Sequence, residues 1–373
     1  MLGGHGGNIY AVARQFGWQP SEITDMSSNI NPLGPPAGLM DCLKENLSAL
    51  TVLPEADGRQ TILNFAAYLD IDPERILAGT GTTQFIYALP RVLNSKSALI
   101  LGPTYADYAD AFAMHHIACS ILLAEESEDF RPDMDHFRQH LEGRDTVVIC
   151  NPNNPTGRLI PLDDLQHLCL AHPQTNFIID ESYLPFVMGA ENESMVNAGA
   201  ENVIVLSSLS KIFKIPGLRI GFIIAIPQMI EKFKTYLTPW SVNGLAQAAV
   251  HYLAMQRDQV DVFVQNSRLF LETQRKEFYD RFRNAPHVKL YPSCTSFVLI
   301  QLPSTITSEE VWTNLVKEKI LVRNCSNFDG LSDRYIRISL KAPETNSMLA
   351  EKLIALIQQP TINKLRLEEE RVA

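Results

Sequence analysis

Two spacings of apolar residues run along the chain. Short, nearly continuous apolar runs occur at Ser97–Leu101, Thr146–Cys150, Asn176–Asp180, Asn202–Leu206 and Phe222–Ile226. Their length and β-branched content predict strands buried on both faces. Around them apolar residues recur about every 3.6 positions, which predicts helices over Ile9–Phe16, Leu39–Leu50 and Gln60–Leu69. Long helical stretches are expected from Gln228 to about Arg283. Beyond that the elements shorten. Lys289–Ser293, Ser296–Ile300, Ile320–Cys325 and Arg334–Ser339 read as strands around a helix over Ser308–Lys319. The pattern predicts an α/β chain, with a large helix-covered sheet and a smaller α+β unit. A length of 373 residues is enough for two such cores.

Several predicted strands end in polar turns, and one of these carries the most informative chemistry. Between the strands Asn202–Leu206 and Phe222–Ile226 lie Ser208, Ser210 and Lys211, with Arg219 eight residues after the lysine. A lysine at a strand end loses solvation, its pKa falls, and the free amine becomes a nucleophile toward an aldehyde. Hydroxyl donors and a forked guanidinium suit a phosphate. Together they suggest pyridoxal 5′-phosphate; a surface loop that carries a lysine is the plain alternative. The run Ile76–Gln84 reads as a strand end, a glycine turn and a helix start, where unpaired N–H groups favour phosphate. Arg323 and Arg337 sit in apolar strands, where a guanidinium needs a carboxylate or phosphate partner. A structural ion pair is the other reading for each.

Charge and cysteine content narrow the partners. A formal net charge of −10 argues against nucleic acid or an anionic membrane as the main partner, so any cationic site must be local. The six cysteines show no close pairing of metal-site type, and reduced thiols are expected. Met1–Asn8 lacks the basic and apolar regions of a signal peptide, and no apolar run reaches the ~20 residues of a membrane span. A cytoplasmic place is expected.

Ser208-x-Ser210-Lys211 with Arg219, the string Asn151-Pro-Asn-Asn-Pro-Thr-Gly157, and Asp180 with Tyr183 at a strand tip resemble one family. It is the class I/II aminotransferase family of fold-type-I pyridoxal-phosphate enzymes, and the resemblance runs from His5 to about Ile354. It implies a large cofactor-binding domain over residues 45–260, with a mixed, mostly parallel sheet. Residues 1–44 and 261–373 would form the small domain. Lys211 would hold the cofactor, and Gly81, Thr82, Thr83, Ser208, Ser210 and Arg219 would bind its phosphate. Tyr105 would stack on the ring, while Asn154 and Tyr183 would bind the phenolic oxygen. Asp180 would face the ring nitrogen, giving a buried acid its partner. Tyr108 reads equally as core. Members of the family are homodimers with sites at the subunit interface.

Two further stretches, His5-Gly-Gly-Asn8 and Ser27-Ser-Asn-Ile-Asn-Pro-Leu-Gly34, resemble the branch of L-threonine O-3-phosphate decarboxylases of cobalamin biosynthesis. That likeness implies His5, Gly6, Asn29 and Arg323 at a substrate phosphate, Arg337 at its α-carboxylate, and Asn154 beside the substrate. The product would be the amino-alcohol phosphate of the cobamide nucleotide-loop linker. An aminotransferase of the histidinol-phosphate type shares most of these motifs and is the alternative. A non-catalytic regulator of this fold usually appends a DNA-binding domain, for which the acidic chain has no room. One departure stands out: Leu53 occupies the place where the family has a tyrosine that reaches the neighbouring subunit's cofactor phosphate.

Overall fold

The apolar runs pair into one seven-stranded sheet. Its order is Ile76–Gly79, Gly221–Ile224, Val203–Ser207, Asn176–Asp180, Thr146–Cys150, Ser97–Gly102 and Ala118–Leu123. These elements come from a computed structural model that describes residues 6–285 and 287–372. Gly221–Ile224 is antiparallel to both of its neighbours, and every other pairing is parallel. Six strands therefore run one way, and their C-terminal ends line up along one edge. Cys150 stands opposite Asp180, Asp180 opposite Leu206, and Gly79 opposite Gly221. Both faces of the central strands are buried, as their unbroken apolar character requires. Phe222 in the sheet stacks on Phe65 of the helix Arg59–Leu69, both out of solvent, and each such ring contributes about 1.5–3 kcal/mol by burial.

A second, four-stranded antiparallel sheet has the order Arg323–Asn324, Tyr335–Ser339, Phe297–Gln301 and Lys289–Leu290. Thr24–Asp25 pairs in parallel with Ile320–Leu321, which ties the N-terminal segment to the C-terminal third of the chain. Ser339 N–H donates to the Met26 carbonyl beside it. A last helix runs Pro343–Val372. Among the described residues no helix is long and apolar enough to cross a membrane.

Three expected elements are shorter than the periodicity predicts. The helix from Leu39 stops at Glu45 and continues as a 3-10 segment, Leu47–Thr51. Asn46 causes the break, because its amide folds back to donate to the Cys42 carbonyl, 2.8 Å away. The long helical stretch divides into Pro227–Lys234, Gly244–Met255 and Arg257–Phe282. Pro239 interrupts it, and Trp240 takes a left-handed φ of 61° while its N–H donates to Ala56. Finally, Ile320–Cys325 is two short strands that belong to different sheets.

Candidate active site

A cavity of about 610 Å³ opens at the C-terminal edge of the large sheet, roofed by the second sheet and the N-terminal segment. All but one of the site residues named from the sequence line it. The exception is His5, which lies outside the described residues.

At one end Gly81, Thr82 and Thr83 line the cavity where the helix Thr82–Val92 begins, with the helix dipole behind them; the Gly81 N–H itself donates to the Gly79 carbonyl at 2.8 Å. Gly81 has a φ of 78°, and a Cβ there would lie 2.8 Å from the Arg219 guanidinium. Only glycine lets the arginine approach the turn so closely. Arg219 itself takes a left-handed φ of 52°, and its Nη1 donates to the Pro216 carbonyl at 3.3 Å. Ser208 precedes the short helix Leu209–Ile212, and Ser210 Oγ donates to the Ile220 carbonyl at 3.3 Å. The Ser208 hydroxyl, a helix N-terminus and a guanidinium thus line this end of the cavity, a donor set suited to a phosphate monoester.

Lys211 and Asp180 stand in the middle of the wall. Burial, together with the positive charges of Arg219 and Arg337, pushes the Lys211 amine down to about 8; Asp180 pulls the other way. Lys214, the neighbouring lysine, is exposed and does not line the cavity. Asp180 is buried at the end of its strand, and burial raises its pKa. Ser182 N–H donates to Oδ1 at 2.9 Å and the Tyr108 hydroxyl donates to Oδ2 at 2.7 Å, both favouring the ionised form. Among the described residues no cation forms an ion pair with this carboxylate. A protonated ring nitrogen fits that requirement.

Tyr105, which begins the turn after Ser97–Gly102, lies on the same wall and meets Tyr108 edge-on at 5.7 Å. Tyr108 is fully buried and bonded to Asp180, so it belongs to the site rather than only to the core.

Opposite, Arg337 is buried in the strand Tyr335–Ser339. Its Nη1 donates to the Asn154 side-chain oxygen and its Nη2 to the Ser27 carbonyl at 2.8 Å, while Nε has no partner among the described residues. Asn154 lines the cavity, and its NH₂ is the donor end of the side chain. Asp25 shapes the turn that presents Ser27, accepting from Ser27 N–H at 2.8 Å and from Ser27 Oγ at 2.6 Å. Gly6 closes over this turn; a Cβ there would lie 2.6 Å from the Ser27 carbonyl and 3.1 Å from Arg337 Nη2. Burial pushes the Tyr183 hydroxyl up to about 12, and Asn29 Nδ2 donates to it at 3.3 Å. Asn29 in turn accepts from Ser339 Oγ at 2.7 Å, so it braces Tyr183 as well as lining the cavity. Arg323 completes the wall, with Nη2 donating to Asn327 Oδ1 at 2.6 Å.

The fold is that of the fold-type-I pyridoxal-phosphate enzymes. Residues 22–354 match the family model of aminotransferase class I and II, and the chain belongs to that family, whose cofactor is pyridoxal 5′-phosphate. The adenosylcobalamin biosynthesis bifunctional protein CobDQ of Leptospira interrogans is 32% identical over 354 residues, covering 93% of this chain. The chain spans only 40% of that relative's length. Two crystal structures are similar throughout. The L-threonine-O-3-phosphate decarboxylase from Porphyromonas gingivalis is 27% identical with a TM-score of 0.80, covering 90% of this chain and 100% of the other. The histidinol-phosphate aminotransferase from Clostridium acetobutylicum is also 27% identical, with a TM-score of 0.83 and the same coverage of both chains.

Proposed function

We propose that this enzyme decarboxylates L-threonine O-3-phosphate, or the close analogue L-serine O-phosphate, to the amino-alcohol phosphate used in a cobamide nucleotide-loop linker. One observation carries the reading: a single cavity holds two separate cations, Arg337 and Arg323, besides the Arg219 of the cofactor-phosphate end. A phosphorylated amino acid has two anionic groups that match them.

Held by Lys211 through its aldehyde carbon, pyridoxal 5′-phosphate would supply an electrophilic carbon for the substrate amine and a conjugated ring that takes up the electron pair of the broken bond. The protein decides which bond that is. Arg337 with Arg323 would fix the substrate's rotation about Cα, and that rotation would set which Cα bond can break. With the carboxylate held in position for cleavage, carbon dioxide would leave and Cα would take a proton, for which Lys211 would be the donor. Asp180 would keep the ring nitrogen protonated, and the Tyr108 hydrogen bond would favour the ionised form of Asp180.

Leu47, Leu50, Val52 and Leu53, each more than half exposed, form an apolar strip on and beside the 3-10 segment. Such a strip suits a second copy of the chain, and we assign it to a homodimer interface. The deciding experiment for substrate is a paired assay. Carbon dioxide should be released from L-threonine O-3-phosphate. Steady transamination of histidinol phosphate with 2-oxoglutarate, and no carbon dioxide from either phosphoamino acid, would replace this reading with the aminotransferase.

A further inference from the structure

Arg323 is held at two points by one short loop. After it the chain makes two successive turns, with Phe328 N–H donating to the Cys325 carbonyl and Leu331 N–H to the Phe328 carbonyl, both at 3.0 Å. Phe328 is buried in a cluster with Phe130, Tyr291 and Tyr335, which anchors the loop. Gly330, at a φ of 84°, packs so tightly that a Cβ would lie 2.6 Å from a Leu123 methyl group. The anchored ring of Phe328 lies 5.0 Å from the Arg323 guanidinium carbon, and Asn327 Oδ1 accepts from Nη2 at 2.6 Å.

The chemistry of these two contacts is informative. Neither the ring nor the amide carries a formal charge, so both fix the guanidinium without neutralising it. A carboxylate at the Asn327 position would bind the arginine more tightly, but it would compete with an incoming anion for the same donors. Among the described residues no carboxylate forms an ion pair with Arg323. Burial and the facing Arg337 push its pKa down to about 10, as expected for a cation whose counter-charge is not supplied by the protein.

We propose that Asn327 is a specificity-determining positioning residue: it aims Arg323 at a phosphate monoester on the distal end of the substrate, and its neutrality leaves the arginine's charge to that ligand. This rests on the proposed function, since it takes Arg323 as the distal anion site.

Spectral titration of the holoenzyme tests it without turnover of a phosphoamino acid. The probes are O-phosphoethanolamine, which has the phosphate but no α-carboxylate, and L-threonine, which has the reverse. Wild type should bind O-phosphoethanolamine the more tightly. Asn327→Asp should weaken O-phosphoethanolamine relative to L-threonine by about tenfold, the scale of one charge-assisted hydrogen bond. Asn327→Ala should have a smaller effect in the same direction, and Asn327→Gln should recover part of it. The cofactor absorbance of each variant confirms that the site has folded. If wild type prefers O-phosphoethanolamine and the aspartate variant keeps that preference, Asn327 has no such role and the proposed function stands. If wild type shows no preference for the phosphorylated probe, the proposed function falls and this inference with it.

Discussion

Arg323 and Arg337 stand directly opposite each other across the antiparallel pair of Arg323–Asn324 with Tyr335–Ser339, and both line the same cavity. Opposed like charges repel in a sheet, and burial makes the repulsion stronger. Burial lowers the pKa of both, with each arginine's protonated form disfavoured in its surroundings. An arrangement so costly to the free protein makes sense as a receptor for two anions held close together.

Separate roles follow for the two arginines. Arg323→Ala should raise KM for L-threonine O-3-phosphate by about 10–100-fold, as expected for loss of a charge-assisted contact to phosphate. It should affect binding of unphosphorylated L-threonine far less. Arg337→Ala should weaken both ligands, because both carry the α-carboxylate. Equal losses for the two ligands in Arg323→Ala would show that Arg323 does not face the phosphate.

The lowered pKa of Lys211 sets the pH dependence of cofactor capture. Recombination requires the neutral amine, so its rate rises with pH until the amine has lost its proton. With a pKa of about 8, roughly a tenth of the amine is neutral at pH 7, against well under a thousandth for an ordinary lysine. Recombination of apoenzyme with pyridoxal 5′-phosphate should therefore level off near pH 9. A rate still climbing at pH 10 would mean that Lys211 is not depressed. Borohydride reduction and peptide mapping should place the label on Lys211, and a label on Lys214 would refute the assignment.

Tyr108 should act through Asp180. Its hydrogen bond lowers the carboxyl pKa, against a burial effect that raises it. Removing the bond in Tyr108→Phe lets Asp180 take up a proton at higher pH, so the acid limb of kcat should move upward. One hydrogen bond of about 0.5–1.5 kcal/mol corresponds to a shift of roughly half to one pH unit. Asp180→Ala should keep the fold and lose most turnover, by about 10–100-fold or more. An unchanged acid limb in Tyr108→Phe would leave Tyr108 as packing alone.

Leu53 is three-quarters exposed, on the strip assigned to the partner subunit. If a tyrosine there reaches the neighbouring cofactor phosphate, Leu53→Tyr should slow cofactor loss on dilution, or leave it unchanged where another group already fills the place. Faster loss would contradict that placement of the strip.

Much of this site is legible in the sequence because its residues follow strands whose apolar runs stand out. Asp180, Asn154, Lys211 and Gly81 each sit at or just after a strand end, so the parallel sheet brings them to one edge. What is not legible depends on contacts between distant segments or on turn geometry. Tyr108 is three residues after Tyr105, but its bond to Asp180 spans 72 positions. Asn29 has a pattern-level likeness to a phosphate ligand, yet the structure also engages it with Tyr183 and Ser339, 154 and 310 positions away. Asn327 has no periodic signal at all, because two turns and the anchoring of Phe328 place it. The helix end before Asn46 and the break around Pro239 are each set by a single side chain against a continuing apolar pattern.

On the proposed function the bond broken is the one to the carboxylate, and one incubation measures it. Holoenzyme with excess L-threonine O-3-phosphate, and no oxo-acid, should release one carbon dioxide for each substrate consumed over many turnovers, with its cofactor remaining pyridoxal 5′-phosphate. Conversion of the cofactor to its amine form, with a single turnover and no carbon dioxide, would contradict the account.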